Sequence, residues 1–265
     1  VKVIAQNIDK YDIKGPSGKR IKIEMFAHGA LCMAISGKCY LSLHEANASA
    51  NRGACIQICR RSYTVTDNET GAQLEVDNEY IMSPKDLCTI NFLDKVIGAG
   101  VRVLKIEGRA RSAEYVKTVV KCYDEAVNSI VDGTYNQQKI DGWMERLSSV
   151  FNRGFWDGYY LGRKLGEWSN VYGSKATEKK QYVGKITNYF SNLGVAEVLV
   201  EASELYLNDK ILILGPTTGV VEDTVREIQV DEKPAEFSPK GIKCSIPVKE
   251  KVRRNDKLYR IIKAE

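Results

Sequence analysis

The feature that most restricts how this chain can fold is a change of texture near residue 180. Before it, apolar residues alternate between strand and helix spacing. After it they recur in short, β-rich runs at 182–190, 195–201, 210–214, 220–230, 242–248 and 257–262. Asn192-Leu193-Gly194, Gly215-Pro216 and Asn255-Asp256 punctuate these runs, which predicts a separate antiparallel barrel. In the first part, residues 21–28 read as a strand ending at Gly29, and the Cys-, Ser-, Asn- and Gly-containing stretch from there to Gly53 reads as an irregular loop. A short strand at 80–82 precedes Ser83-Pro84-Lys85-Asp86. Ser83 suits a helix cap, Pro84 the first turn and Asp86 the positive end of the dipole. Leu87, Ile90, Leu93 and Ile97 continue at helical spacing to Gly98 and Gly100. Val101, Val103, Leu104 and Ile106 form the next strand. Ser112 then opens a helix carrying Val116, Val119, Val120, Tyr123 and Val127.

Strand, helix, strand, helix implies a parallel sheet with right-handed crossovers. α/β barrels place their chemistry at the carboxyl ends of such strands. Glu24, His28, Lys85, Lys105, Glu107 and Arg109 stand there. The region supplies only three or four parallel strands, whereas a closed (β/α)₈ barrel needs about 200–250 residues. An open half-barrel leaves unpaired edges, so the chain, which begins at Val1, is expected to lack an amino-terminal barrel half or to borrow one from elsewhere. The expected fold class is therefore α/β plus all-β. Residues 1–165 form the carboxyl-terminal part of a TIM-like barrel, 166–180 a linker, and 181–265 a small antiparallel β-barrel.

Composition excludes several classes. With 43% hydrophobic and 28% charged residues the chain is neither disordered nor fibrous. No apolar stretch is long enough to span a bilayer, and residues 1–11 are too polar for a signal peptide. A soluble cytoplasmic protein without a membrane partner is expected. Charge is uneven: residues 1–61 carry ten Lys or Arg against four acids, and 239–265 nine against three, while 181–238 carry four against ten. Two basic segments suit an anionic partner such as nucleic acid; solvated surface charge is the plainer alternative.

Seven cysteines are present, four of them spaced Cys32-x6-Cys39-x15-Cys55-x3-Cys59. Cysteines gathered in one loop of a cytoplasmic chain argue against disulfides. Structural zinc usually takes paired ligands two to four residues apart on both sides, which only Cys55 and Cys59 satisfy. Four thiolates with irregular spacing and no ligand His suit an iron–sulfur cluster, with zinc or unligated cysteines as the alternatives. Cys88 is a rival ligand. Cys122 and Cys244 suit buried hydrophobic positions.

The pattern Glu24-x-Phe26-x-x-Gly29-Ala30-Leu31-Cys32-x4-Gly37-x-Cys39-x-Leu41-Ser42 resembles the signature of the collagenase-like peptidases of family U32. Cys55-x3-Cys59-Arg60, Ser83-Pro84-Lys85-Asp86-Leu87, Lys105-Ile106-Glu107-Gly108-Arg109 and Asn152-Arg153-Gly154-Phe155 extend the likeness. The terminal barrel resembles the domain appended to the tRNA-modifying branch, itself similar to the second domain of elongation factor Tu. The resemblance implies a TIM-like barrel with a [4Fe-4S] cluster on Cys32, Cys39, Cys55 and Cys59, or with Cys88 as the fourth ligand. It further implies prephenate-dependent hydroxylation of the tRNA wobble uridine to 5-hydroxyuridine.

Beside these motifs, the residues admit definite roles. Lys85, Lys105 and Arg109 suit the carboxylates of a small dicarboxylate, against a plainer role in ion pairs with Glu107 or Glu24. Arg60, with Arg52 and Arg61, suits RNA phosphates. Arg153 stands beside Phe155, Trp156, Tyr159 and Tyr160, a run that can stack an unpaired base or pack against the barrel. Glu24, His28 and Glu107 are the candidate acid–base groups, His28 serving equally well as a structural histidine. The pair His44-Glu45 lacks the second histidine of a zinc protease helix, since position 48 is Ala48. No Gly-x-Ser-x-Gly elbow appears. A peptidase and a non-catalytic RNA-binding accessory are the competing readings.

Overall fold

The computed structural model describes residues 1–32, 34, 38–49, 52–61, 63–76, 84–109, 111–162, 167 and 174–264. It comprises two compact units, Val1–Arg111 with Thr118–Ala176, and Ser112–Lys117 with Thr177–Glu265.

The first unit mixes helices and strands. Helix α1 (Lys2–Lys10) buries Ile8. Strand β1 (Ile23–Gly29) becomes progressively more buried toward its carboxyl end. Helix α2 (Tyr40–Ala46) follows, then a 3₁₀ turn at Ile58–Arg60 and a hairpin of β2 (Tyr63–Thr66) and β3 (Gln73–Val76). Next come β4 (Asp86–Cys88), a 3₁₀ turn at Ile90–Phe92, α3 (Leu93–Gly98), β5 (Val101–Ile106), α4 (Ala113–Val131), α5 (Gln137–Ser149) and β6 (Phe155–Trp156). Asn136 caps α5, its side chain accepting from the Lys139 N–H at 3.0 Å. The four-stranded sheet runs β5-β1-β4-β6. β1 pairs parallel with β5, and β4 with β6, as strand–helix alternation predicts.

Three expectations need correction. The sheet is not wholly parallel, because β1 and β4 pair antiparallel through His28↔Cys88 and Gly29↔Leu87. The helix expected from Ser83 begins only at Leu93; Asp86, Leu87 and Cys88 form a strand instead, and the strand expected at 80–82 lies outside the described residues. Leu87, Ile90 and Leu93 are all buried, so they satisfy a helical period without being helical throughout. Extended backbone wins at 86–88 because neighbouring strands on both sides satisfy its polar groups. The Asp86 N–H reaches the Gly154 carbonyl at 2.9 Å, and the Thr89 N–H that of Ala27 at 3.1 Å. Thirdly, the stretch expected to be irregular contains α2, capped by the Cys39 sulfur and closed by Asn47 at φ 48°.

The second unit is antiparallel throughout. Its strands are β7 (Glu178–Phe190), β8 (Val195–Val200), β9 (Leu205–Tyr206), β10 (Lys210–Gly215), β11 (Gly219–Thr224), β12 (Gln229–Val230), β13 (Lys233–Pro234), β14 (Phe237–Ser238), β15 (Lys243–Pro247) and β16 (Lys257–Lys263). Eight of them form one sheet in the order β11-β10-β16-β7-β8-β15-β12-β13, and β9 pairs with β14. The run expected at 220–230 is divided between β11 and β12. Ala196, Val198 and Val200 of β8 turn inward in strict alternation and meet Val183, Ile186, Leu205, Ile213, Ile246 and Leu258 in a continuous core. β7 requires glycine at 184: a Cβ there would lie 1.9 Å from the Leu199 carbonyl oxygen.

Candidate functional site

Where β1 and β5 end together, the Glu107 N–H donates to the His28 carbonyl at 2.8 Å. Gly29, at φ +119°, lets the chains touch, since a Cβ would stand 2.8 Å from both the Cβ and the carbonyl oxygen of Glu107. The cysteine loop departs from this point. The Ala34 N–H donates to Cys32 Sγ at 3.3 Å. The Ser42 hydroxyl and N–H, each 3.4 Å from Cys39 Sγ, hold that thiol below its ordinary pKa and so favour its thiolate. Cys32 and Cys55 are exposed, Cys39 and Cys59 half-buried, and all four are free thiols. Burial pushes the Cys59 thiol up, Arg60 opposes this, and Cys55, Cys32 and Cys39 all add to the rise. Among the described residues no group of three His, Cys, Asp or Glu side chains is drawn together tightly enough to grip a metal ion. As a donor set, four unpaired thiols beside an arginine nonetheless fit a thiolate-ligated centre.

Cys88 lies elsewhere. It sits on β4 at 2% exposure, accepting from the Tyr123 hydroxyl at 3.9 Å and lying 3.8 Å from Met144 Sδ. Burial pushes its thiol up to about 11, which favours the neutral form. Cys122 and Cys244 are buried as well.

Beyond Cys59 stands a cluster of charge in the interior. Asp86, 1% exposed on β4, accepts from Arg111 Nη2 at 3.2 and 3.4 Å, and Arg153 Nη1 lies 3.7 Å away. The side chains of Arg111 and Arg153 are only 7% and 13% exposed. Both guanidiniums lie over the Phe151 ring, 4.2 and 5.0 Å from its centroid. Arg60 acts on both Asp86 and Arg153. Its Nη2 donates to the Leu31 carbonyl at 3.3 Å, whereas its Nη1 is buried with no hydrogen-bond partner among the described residues. Burial lowers Arg153 to about 10, with Arg60 and Arg111 adding to the fall and Asp86 opposing it, so it remains a cation at neutral pH. Burial raises Asp86 against the pull of Arg111, Arg153 and Arg60.

The other candidates are distributed around this centre. Lys85 is held by Glu167 at 2.7 Å. Lys105 is exposed, 3.5 Å from Glu24 and over the Phe26 ring. Glu107 accepts from the Arg109 N–H at 2.8 Å, and the exposed Arg109 guanidinium reaches 4.0 Å from the Cβ position of Gly53, beside the cysteine loop. His28 is 1% exposed, packed against Tyr123 and Phe155. Burial, with a contribution from Arg111, lowers its pKa to about 3. It is thus an interior imidazole whose surroundings favour the neutral form. Trp156 is buried edge-on to Tyr159, and the Tyr160 hydroxyl donates to the Phe26 carbonyl, while Tyr159 and Tyr160 themselves stay exposed. Asp86, Arg111 and Phe151 escaped the sequence reading. Asp86 stands in a recognisable motif that reads locally as a helix start, and of its two arginine partners only Arg153 lies in a motif.

The model of peptidase family U32 matches residues 3–170. The chain belongs to that family. Within family U32 and beside it, the chain is 60% identical to a collagenase of Porphyromonas gingivalis over 265 residues, covering all of this chain and 64% of the relative. It is 32% identical to the tRNA hydroxylation protein P1 of Bacillus subtilis over 232 residues, covering 85% of this chain and 54% of the relative. It is 29% identical to the 23S rRNA 5-hydroxycytidine C2501 synthase of Escherichia coli over 215 residues, covering 76% and 32%. This member of family U32 thus spans about two thirds of the collagenase and less of the RNA-modifying relatives. Among the described residues no helix is long and apolar enough to cross a membrane.

Proposed function

We propose that the chain belongs to an RNA-modifying hydroxylase that converts the tRNA wobble uridine to 5-hydroxyuridine with a prephenate-derived donor. The observation that supports this reading is four free cysteines in one loop, with Cys39 held toward its thiolate and Arg60 next to Cys59. Cys32, Cys39, Cys55 and Cys59 would hold a [4Fe-4S] cluster, which when bound supplies a one-electron redox centre. The Ser42 groups favour the thiolate of Cys39, the form a metal ligand needs. The exposed Lys105 and Arg109 suit RNA phosphates, which need accessible cations on flexible side chains. Relatives named for tRNA hydroxylation and for 5-hydroxycytidine synthesis on 23S rRNA support the reading.

The collagenase name of the 60% identical relative favours a second reading, a peptidase. A Ser or Cys nucleophile needs an accessible imidazole as its base. His28 is buried, and His44 is exposed with Glu45 at 3.6 Å. His44 is thus the accessible imidazole this reading would need, and among the described residues no Ser or Cys is hydrogen-bonded to it.

Two measurements test the choice. Protein prepared without oxygen is expected to be brown and absorb near about 400 nm, and Cys55→Ser to be colourless. Mass spectrometry of tRNA from a strain lacking the gene is expected to show loss of 5-hydroxyuridine derivatives, restored by the intact gene but not by Cys55→Ser. Unchanged tRNA, together with gelatin cleavage that survives Cys32→Ser, overturns the hydroxylase reading in favour of the peptidase.

A further inference from the structure

Charge in the second unit is sorted by position. Between residues 181 and 238 acids outnumber Lys and Arg by ten to four, yet Lys249, Lys251, Arg253, Arg254 and Lys257 then follow within nine residues. All five are exposed. Of the two acids in that stretch, Glu250 is exposed and Asp256 is buried. Like charges crowded together repel one another, and a free loop would spread them apart. This loop is pinned. The Lys249 N–H donates to the buried Asp223 at 3.0 Å, and the Arg253 N–H to Asp256 at 2.7 Å. Val252 between them is sunk to 1% exposure, and the Asn255 N–H donates to the Ile186 carbonyl at 2.8 Å. The anchors face inward, so the cations are held outward on a fixed backbone.

Two turns border the loop. The Val248 N–H donates to the Gly194 carbonyl at 2.9 Å, which sets the turn between β7 and β8 alongside it. That turn follows Phe190 and carries Leu193, both exposed. Phe190, Val195 and Pro247 stand in one cross-strand row that ends at the loop. On the other side, Arg253 Nη1 donates to Thr218 Oγ1 at 3.1 Å in the turn between β10 and β11. Lys249 lies 3.2 Å from Asp223. Among the described residues the side chains of Lys251, Arg254 and Lys257 have no acid partner.

We propose that this end of the second unit is an RNA-binding surface, Lys249–Lys257 meeting phosphates and Phe190 stacking on an unpaired base. Phosphates need accessible cations, and an exposed ring offers a stacking face to any base. A protein interface has a charge-poor, apolar centre and a polar rim. Here charge holds the centre and the apolar side chains the edge. The surface lies outside residues 3–170, the stretch that marks family U32. The inference extends the hydroxylase reading by giving RNA a hold on the second unit, and takes from that reading only the class of polyanion.

The test is fluorescence anisotropy of the full chain with a labelled RNA stem-loop, titrated at several salt concentrations. The pair Lys251→Gln with Arg254→Gln is expected to bind about tenfold more weakly at low salt, its log–log salt slope shallower by about 1.5–2. Lys251→Arg with Arg254→Lys keeps both charges and is expected to bind as the unaltered chain does. Phe190→Ala is expected to lose about fivefold or more in affinity without a change of slope. Lys240→Gln, an exposed cation before the opposite end of β15, is expected to change neither. The proposal is overturned if the Gln pair keeps both affinity and slope. Polyglutamate displacing the labelled RNA as well as unlabelled RNA does would make the loop a site for acidic proteins, and overturn it. So would a Gln pair that keeps its RNA affinity but no longer sediments with phosphatidylserine vesicles, which would mark a lipid surface. Unchanged 5-hydroxyuridine in a strain lacking the gene defeats the hydroxylase reading and leaves a loop-dependent RNA affinity standing. Hydroxylation by a chain whose Gln pair binds RNA normally defeats this proposal alone.

Discussion

His28 gives the protein a pH dependence that its sequence does not display. Its folded pKa is lowered to about 3, from an ordinary value of 6.5. Between those values the unfolded chain binds a proton that the folded protein refuses. Stability is therefore complete above about pH 6.5 and falls as the solution is acidified, by up to about 1.4 kcal/mol per pH unit. Thermal melts between pH 7.5 and 5 are expected to show a declining midpoint, and His28→Gln a flatter profile; parallel profiles would contradict the assignment. Asp86 is the second such residue. Its replacement by Ala would leave Arg111 and Arg153 in the interior without the carboxylate they share. Breaking a buried ion pair from one side costs about 3–5 kcal/mol. Urea denaturation of Asp86→Ala should reveal a loss of that order, and one below about 1 kcal/mol would show that the arginines are compensated elsewhere.

At the scale of elements, β4 and the cysteine loop do different work with the same residue type. Cys88 fills a position between Tyr123 and Met144 in the sheet, while Cys55 stands exposed in the loop. Cys88→Ala is expected to retain bound metal and lose about 1–2 kcal/mol of stability. Cys55→Ser is expected to lose metal with little change in the unfolding of the metal-free chain. Iron analysis alongside denaturation distinguishes the two, and metal loss in Cys88→Ala would make Cys88 a ligand after all. The joint of β1 with Glu107 is equally specific. Gly29→Ala places a methyl 2.8 Å from the Glu107 carbonyl oxygen at a positive φ, so both strain and steric overlap oppose it. A loss of about 2–4 kcal/mol is expected from thermal melts.

For the whole molecule, the division into two units has a thermodynamic consequence. The second unit has its own core, from Val183 to Leu258, and its antiparallel pairing joins first strand to last within the unit. Residues 177–265 expressed alone are therefore expected to unfold cooperatively, as judged by circular dichroism; a broad transition without a baseline would contradict this. The first unit has a mixed sheet with β5 and β6 at its edges. It holds Asp86, Arg111 and Arg153 largely out of solvent and exposes Lys105 and Arg109.

The chain itself determined the β-rich second unit, strands β1 and β5, helix α4 and the grouping of four cysteines. Each of those signals is a local period or spacing, which needs no distant partner. Tertiary structure decided the rest. The same apolar spacing at 87–93 serves a strand and a 3₁₀ turn because β1 and β6 supply hydrogen bonds that a helix would otherwise make internally. His28 became a buried neutral ring through Tyr123 and Phe155, and Asp86 an anchor for arginines through Arg111 and Arg153. Burial and charge pairing are properties of neighbours in space, and these neighbours lie tens of residues away along the chain.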